Sequence, residues 1–169
     1  MSISCLKRAR GSAIIVAIFL LVALATLGAF IVSITSSQQI GSAYDIQGAR
    51  AYQAAHYGSE WGVYRLLKGA CSGGDFCALC KAASYAAPTS TNLTGLAGSL
   101  SDFTVTVSCG GGIAAGGSYA EGGSTVWVYQ LGANACNQPT AGGACPNTAA
   151  AAVGSIGYIE RRVSLTVTN

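Results

Sequence analysis

SAIIVAIFLLVALATLGAFIVSI, residues Ser12 to Ile34, is the stretch from which the fold is read. It contains neither a charged residue nor a proline. From Ala13 to Ile34 it spans roughly 33 Å as a helix, against about 30 Å for the hydrocarbon core of a bilayer. A short basic head precedes it, with Lys7, Arg8 and Arg10, and no basic residue follows until Arg50. By the tendency of basic flanks to stay in the cytoplasm, the head is expected inside and everything beyond Ile34 outside. The apolar run is too long for the core of an ordinary secretory leader, which has about 7–15 residues.

The helix is expected to continue past the membrane. No proline occurs before Pro88, and Ser36-Ser37-Gln38-Gln39 makes a polar exit. Ala51, Ala54, Ala55, Gly58 and Trp61 or Gly62 then follow three-and-four spacing, a small-residue stripe suited to a close neighbour. Lys68-Gly69 supplies a basic last turn and a glycine stop, so one helix is predicted over Ser12–Lys68. Its outer half is expected to lay the stripe against the domain that follows.

From Ala70 to Ser101 the residues read as turn and loop, including Cys71-Ser72-Gly73-Gly74 and Pro88-Thr89-Ser90-Thr91-Asn92. Three strands are predicted beyond: Phe103–Val107, Thr125–Leu131 and Arg161–Val167, each alternating or β-branched. The intervening segment from Gly132 to Val153 is expected to be a long loop. The fold class is therefore α+β: a long N-terminal helix, half membrane-spanning and half amphipathic, packed on a small antiparallel sheet with disulfide-stapled loops.

The cysteines support an exported body. Cys5 lies in the head, which leaves Cys71, Cys77, Cys80, Cys109, Cys136 and Cys145. An even set in a small exported domain reads as a disulfide framework of open connectivity, with Cys136 and Cys145 placed for a local staple. Cys77-Ala78-Leu79-Cys80 is a C-x-x-C, but the single histidine, His56, lies elsewhere and no second C-x-x-C completes a metal set. No metal or cofactor is expected.

Charge excludes more than it suggests. The formal net charge of +3 includes the three basic residues of the head, and the remaining basic and acidic side chains cancel. No basic patch supports nucleic-acid binding. Between Ala82 and Ile159 only Asp102 and Glu121 are charged, a surface suited to a subunit packed among others. The carboxylates are scattered and His56 has no evident nucleophile beside it, so no enzyme and no small-molecule substrate are expected. Gly110–Gly112 and Gly116–Gly117 lack the lysine and the strand–helix context of a phosphate loop. Asn92-Leu93-Thr94 matches a glycosylation acceptor, a weak signal at three residues. Trp127 and the Cys136–Cys145 loop are candidates either for exposed contacts or for core and staple.

Lys7-Arg8-Ala9-Arg10-Gly11-Ser12, followed at once by the apolar helix, resembles the leader of type IV pilins and type II secretion pseudopilins. More narrowly, Arg10–Val16, Gln47–Ala55 and Glu60-Trp61-Gly62 resemble the MshP family of mannose-sensitive haemagglutinin (MSHA) pilus operons, related in plan to PilX-type minor pilins. The likeness is close over about the first 67 residues and general beyond. It implies cleavage by a prepilin peptidase between Gly11 and Ser12, and N-methylation of Ser12. It divides the chain into a leader (1–11), a transmembrane and fibre-core helix (12–34), an amphipathic continuation (35–69) and a disulfide-containing β domain (70–169).

Major pilins carry a glutamate at the fifth mature position, which here is Val16. A buried charge is tolerable only when paired, and that carboxylate is thought to meet the amine of the subunit added before it. A subunit with none ahead of it has no such amine to neutralise. The implied function is a minor pilin at or near the tip of an MSHA-like type IV pilus, helping to initiate assembly and contributing to adhesion. Its implied partners are major and minor pilins, the prepilin peptidase and the inner-membrane assembly platform. It would sit in the inner membrane, body periplasmic, before joining an extracellular pilus. The alternatives are a secretion-system pseudopilin and a non-polymerising membrane-anchored assembly factor.

Overall fold

The computed structural model describes residues 12–69, 71–83, 86–111 and 118–168. The leader, with Cys5 and Gly11, lies outside them, as do Gly112, Gly116 and Gly117. Helix α1 runs Ser12–Lys68, 57 residues, the span expected from the absence of proline. It closes with Arg65 and Lys68 in its last turn, where cations complement the helix dipole, and with the Gly69 amide donating to the Arg65 carbonyl. The chain divides into two compact units, one ending at Ala43 and one running Tyr44–Asn169.

In the second unit, α1 is followed by α2 (Phe76–Ala82), β1 (Thr89–Leu93), a 3-10 turn (Gly98–Leu100), β2 (Thr104–Gly111), β3 (Ser118–Glu121), β4 (Ser124–Cys136), α3 (Ala150–Val153) and β5 (Glu160–Thr168). All strand pairs are antiparallel. β4 is the spine: its second half pairs with both β2 and β5, its first half with β3, and β1 extends the sheet beyond β2. Gly122 and Gly123 link β3 to β4 with φ of +56° and +84°, as a two-residue hairpin turn with both central residues left-handed requires.

The alternation of β2, β4 and β5 sends Val105, Val107, Cys109, Tyr129, Leu131, Ala133, Ala135 and Val167 into the core. Ala51, Ala54, Ala55 and Leu66 of α1 meet them, with Gly58 and Gly62 between. Those two glycines set the depth of the packing. A Cβ at Gly58 would stand 2.5 Å from Val105 Cγ1, and one at Gly62 3.0 Å from both Leu131 Cδ2 and Val107 Cγ1. The small-residue stripe thus seats the outer part of the helix almost backbone-deep on the sheet.

Four expectations need correction. The segment from Ala70 to Ser101 is not all loop, since it holds α2, β1 and the 3-10 turn. The sheet has five strands rather than three. The loop expected from Gly132 begins only after Cys136, because β4 continues through Gly-Ala-Asn-Ala-Cys. Its later part contains the short α3. Alanines are poor strand formers, but Ala133 lies within reach of a Cβ at Gly58, where a larger side chain would not fit.

The six cysteines form three disulfides: Cys71–Cys77, Cys80–Cys109 and Cys136–Cys145, with Cα separations of 4.9, 5.3 and 5.7 Å. The two members of the C-x-x-C therefore bond to different partners. α2 is held from both sides, by bridges and by Trp61 of α1, whose ring centroid is 5.3 Å from that of Phe76. Asp75, just before α2, pairs with Arg65 at 3.0 Å instead of capping the helix.

Candidate functional site

Three surfaces carry what this chain can do. The first is α1 up to Ala43. Its large apolar side chains, among them Ile14, Ile15, Ile18, Phe19, Leu21, Phe30 and Ile31, are exposed. Among the described residues this is the one helix long and apolar enough to cross a membrane. Its hydroxyls suit an apolar medium. Thr26 donates to the Ala23 carbonyl at 2.9 Å, Thr35 to that of Ile31 at 2.9 Å, and Ser37 to that of Ser33 at 3.2 Å. Each satisfies its proton within the helix, which Thr26, inside the apolar run, needs if no water reaches it. Ser12 opens the helix, and Val16 is exposed on it.

The second surface is the outward side of α1 within the domain. Tyr52, Tyr57 and Tyr64 project from it, large rings with polar tips that suit a protein contact. His56 is on this side too, its Nδ1 3.4 Å from Glu60 Oε1, both side chains mostly exposed, a pair of little energetic weight.

The third is the outer face of the sheet, which carries hydroxyls, amides and glycine where the inner face carries valine and leucine. Over one half of it the Cys136–Cys145 segment folds down. Thr106 on β2 is buried there: its hydroxyl donates to Asn92 Oδ1 and accepts from the Cys145 amide, both at 2.7 Å. Asn92, the glycosylation-type asparagine, is thus engaged in holding the loop. Asn137 pins the far end, donating to the Gly157 carbonyl at 2.7 Å and accepting from the Ile159 amide at 2.9 Å. Burial pushes the Tyr158 phenol up; the Asn147 amide donating to its oxygen opposes this, and the Glu160 carboxylate adds to the rise. Trp127 is half-buried against the core.

The other half of the outer face is open, a trough of about 350 Å³. The register aligns Ser108, Gly132 and Ser164 in one row and Gln130 and Thr166 in the next, with Arg162 at its border. None of these was singled out from the sequence. The signal available was the alternation Arg162-Val163-Ser164-Leu165-Thr166, which assigns its polar members to one face.

Among the described residues no group of three or more His, Cys, Asp or Glu stands together as metal ligands would. No family model, curated protein or solved structure matches this chain.

Proposed function

We propose that this protein is a minor pilin of an MSHA-like type IV pilus, placed at or near the tip and helping to begin assembly. The observation that carries this reading is the division of one helix, α1, between two environments. Its first part exposes large apolar side chains from Ile14 to Ile34, and its last part is seated on a disulfide-bonded sheet. Such a surface needs lipid before assembly and the helices of neighbouring subunits after it. The junction Arg10-Gly11-Ser12 provides the matching leader, whose removal by a prepilin peptidase would free Ser12 for methylation while keeping the helix. In this reading the partners are other pilins and the inner-membrane platform, the role is structural rather than catalytic, and the stapled outer face contributes to adhesion.

Val16 supports the tip position. In a bundle of apolar helices a carboxylate without a partner amine costs several kcal/mol, so a subunit with nothing ahead of it is better served by valine. The same valine also suits a second reading, a membrane-anchored assembly factor that never polymerises. A secretion-system pseudopilin shares both leader and helix.

The deciding experiment is the intact mass of the protein from membranes and from sheared pili, with and without the peptidase. A species beginning at Ser12 in the sheared fraction is expected. Full-length protein confined to membranes and indifferent to the peptidase would leave the anchored factor instead.

A further inference from the structure

The open half of the outer sheet face is built unlike the rest of the domain. Its floor is Gly132, and its walls are Ser108, Gln130, Ser164 and Thr166. A Cβ at Gly132 would stand 3.0 Å from Ser108 Oγ and 3.5 Å from Arg162 Nη2, so the guanidinium lies over the glycine and reaches across β4. Only two ion pairs exist among the described residues, His56–Glu60 and Arg65–Asp75, and Arg162 is in neither. The acid nearest along its own strand and face, Glu160, accepts the Tyr158 hydroxyl at 2.8 Å. The trough therefore offers one uncommitted planar cation bordered by neutral hydroxyl and amide groups.

That combination selects a ligand class. A guanidinium matches a carboxylate through two parallel hydrogen bonds. The Ser108 hydroxyl donates to the Gly132 carbonyl at 3.1 Å and keeps its oxygen as an acceptor, while Gln130, Ser164 and Thr166 can both donate and accept, which is what a ring of sugar hydroxyls demands. The volume lies at the lower end of the range for small-molecule sites, about 300–1,000 Å³. The flanking Leu131 and Leu165 turn their side chains to the core and the exposed Pro88 is the one apolar side chain left along the lining, so the trough has no enclosed apolar pocket in which to anchor a peptide side chain.

We propose that this trough binds the carboxylate-bearing residue of an acidic polysaccharide, Arg162 taking the carboxylate and Ser108, Gln130, Ser164 and Thr166 the ring hydroxyls. The inference deepens the adhesive part of the proposed function. Its test needs only the purified chain in detergent, so it succeeds or fails independently of fibre incorporation.

Trigalacturonate is titrated against the full chain by ligand-observed NMR, beside maltotriose as the neutral saccharide and triglutamate as the acidic peptide. Saturable binding of trigalacturonate is expected in the millimolar range or tighter, with maltotriose at least about tenfold weaker. Arg162→Gln should weaken binding by about tenfold or more. Arg161→Gln removes the same charge from the adjacent residue, which lies on the opposite face against Gly48, and should leave affinity within about twofold. Ser164→Ala, a solvent-facing truncation, provides a second variant should Arg162→Gln fail to fold, and should weaken binding measurably. Absence of saturable binding, equal loss in the two arginine variants, or triglutamate bound as tightly as trigalacturonate would each overturn the proposal.

Discussion

Gly58→Ala tests the helix–sheet seating at its tightest point. In an exposed helix the change would stabilise by up to about 1 kcal/mol, because alanine is the better helix former. Here the new methyl would stand 2.5 Å from Val105 Cγ1 and 3.3 Å from both Ala133 Cβ and Val107 Cγ2. Val105 is fully buried and β-branched, so it cannot swing aside without leaving its rotamer. Overpacking costs typically 1–3 kcal/mol, and an approach of 2.5 Å puts this case in the upper part of that range, about 2–3 kcal/mol, so that after the helical gain the net loss is about 1–2 kcal/mol. For a domain of this size that is on the order of 4–8 °C in Tm. The assay is thermal and guanidinium unfolding of the full chain in detergent, with the disulfides intact. The double variant Gly58→Ala with Val105→Ala provides the cross-check: relief of the clash should make its loss smaller than the sum of the single losses by about 1 kcal/mol. Gly41→Ala is the opposite control, since nothing lies within 4 Å of its Cβ. A Gly58→Ala protein as stable as the parent, or more so, would refute the close approach.

Thr106→Val should cost about 2–3 kcal/mol, because it orphans the Cys145 amide and Asn92 Oδ1 together; a smaller loss in denaturation midpoint would show that water replaces the hydroxyl. Replacing Cys136 and Cys145 by alanine opens a loop with a sequence separation of 9 and should cost roughly 2–3 kcal/mol, while non-reducing peptide mapping of the parent should return the other two bridges unchanged. Tyr129 and Tyr158 have phenols raised by burial, so the unfolded chain ionises first, near pH 10. Their stabilising share is therefore intact below about pH 10 and lost as pH climbs through the folded values; Tyr129→Phe should flatten the alkaline limb of the unfolding midpoint, and an unaltered limb would count against the assignment. In the pilin reading, Val16→Glu should reduce the number of pili per cell by burying an uncompensated carboxylate; undiminished piliation would speak against a tip position.

The long helix and its stripe were legible because their signals are additive over many residues: no proline, one apolar face, small residues at three-and-four spacing. The three strands read from Phe103–Val107, Thr125–Leu131 and Arg161–Val167 were legible for the same reason: the last two lie within observed strands, and the first starts one residue ahead of β2. β1 was missed because Thr-Ser-Thr-Asn-Leu at a sheet edge buries only part of Thr89, Thr91 and Leu93, so its composition is that of a turn. α2 was missed because its two short turns owe their stability to Trp61 and Arg65 of α1, to the bridge to Cys109 on β2 and to the Cys71–Cys77 bridge, none of which shows as helical periodicity. The end of β4 was misread since Ala133 and Ala135 answer to the buried space between helix and sheet rather than to strand propensity. The trough escaped notice because it is assembled from single residues of β2, β4 and β5, and a linear reading holds no register.

The order of the disulfides has a mechanical consequence. Tension carried past the end of α1 meets the first bridge at Cys71, crosses to Cys77, runs three residues to Cys80 and crosses again to Cys109. The bypassed spans, of 6 and 29 residues, cannot be drawn out while those bonds last. At about 3.4 Å per residue, on the order of 120 Å of contour is withheld from extension. A subunit hauled on by its helix would thus pass load from α1 into β2 along a short covalent path. Past the end of α1, stretching would begin only beyond Cys109, at the sheet itself.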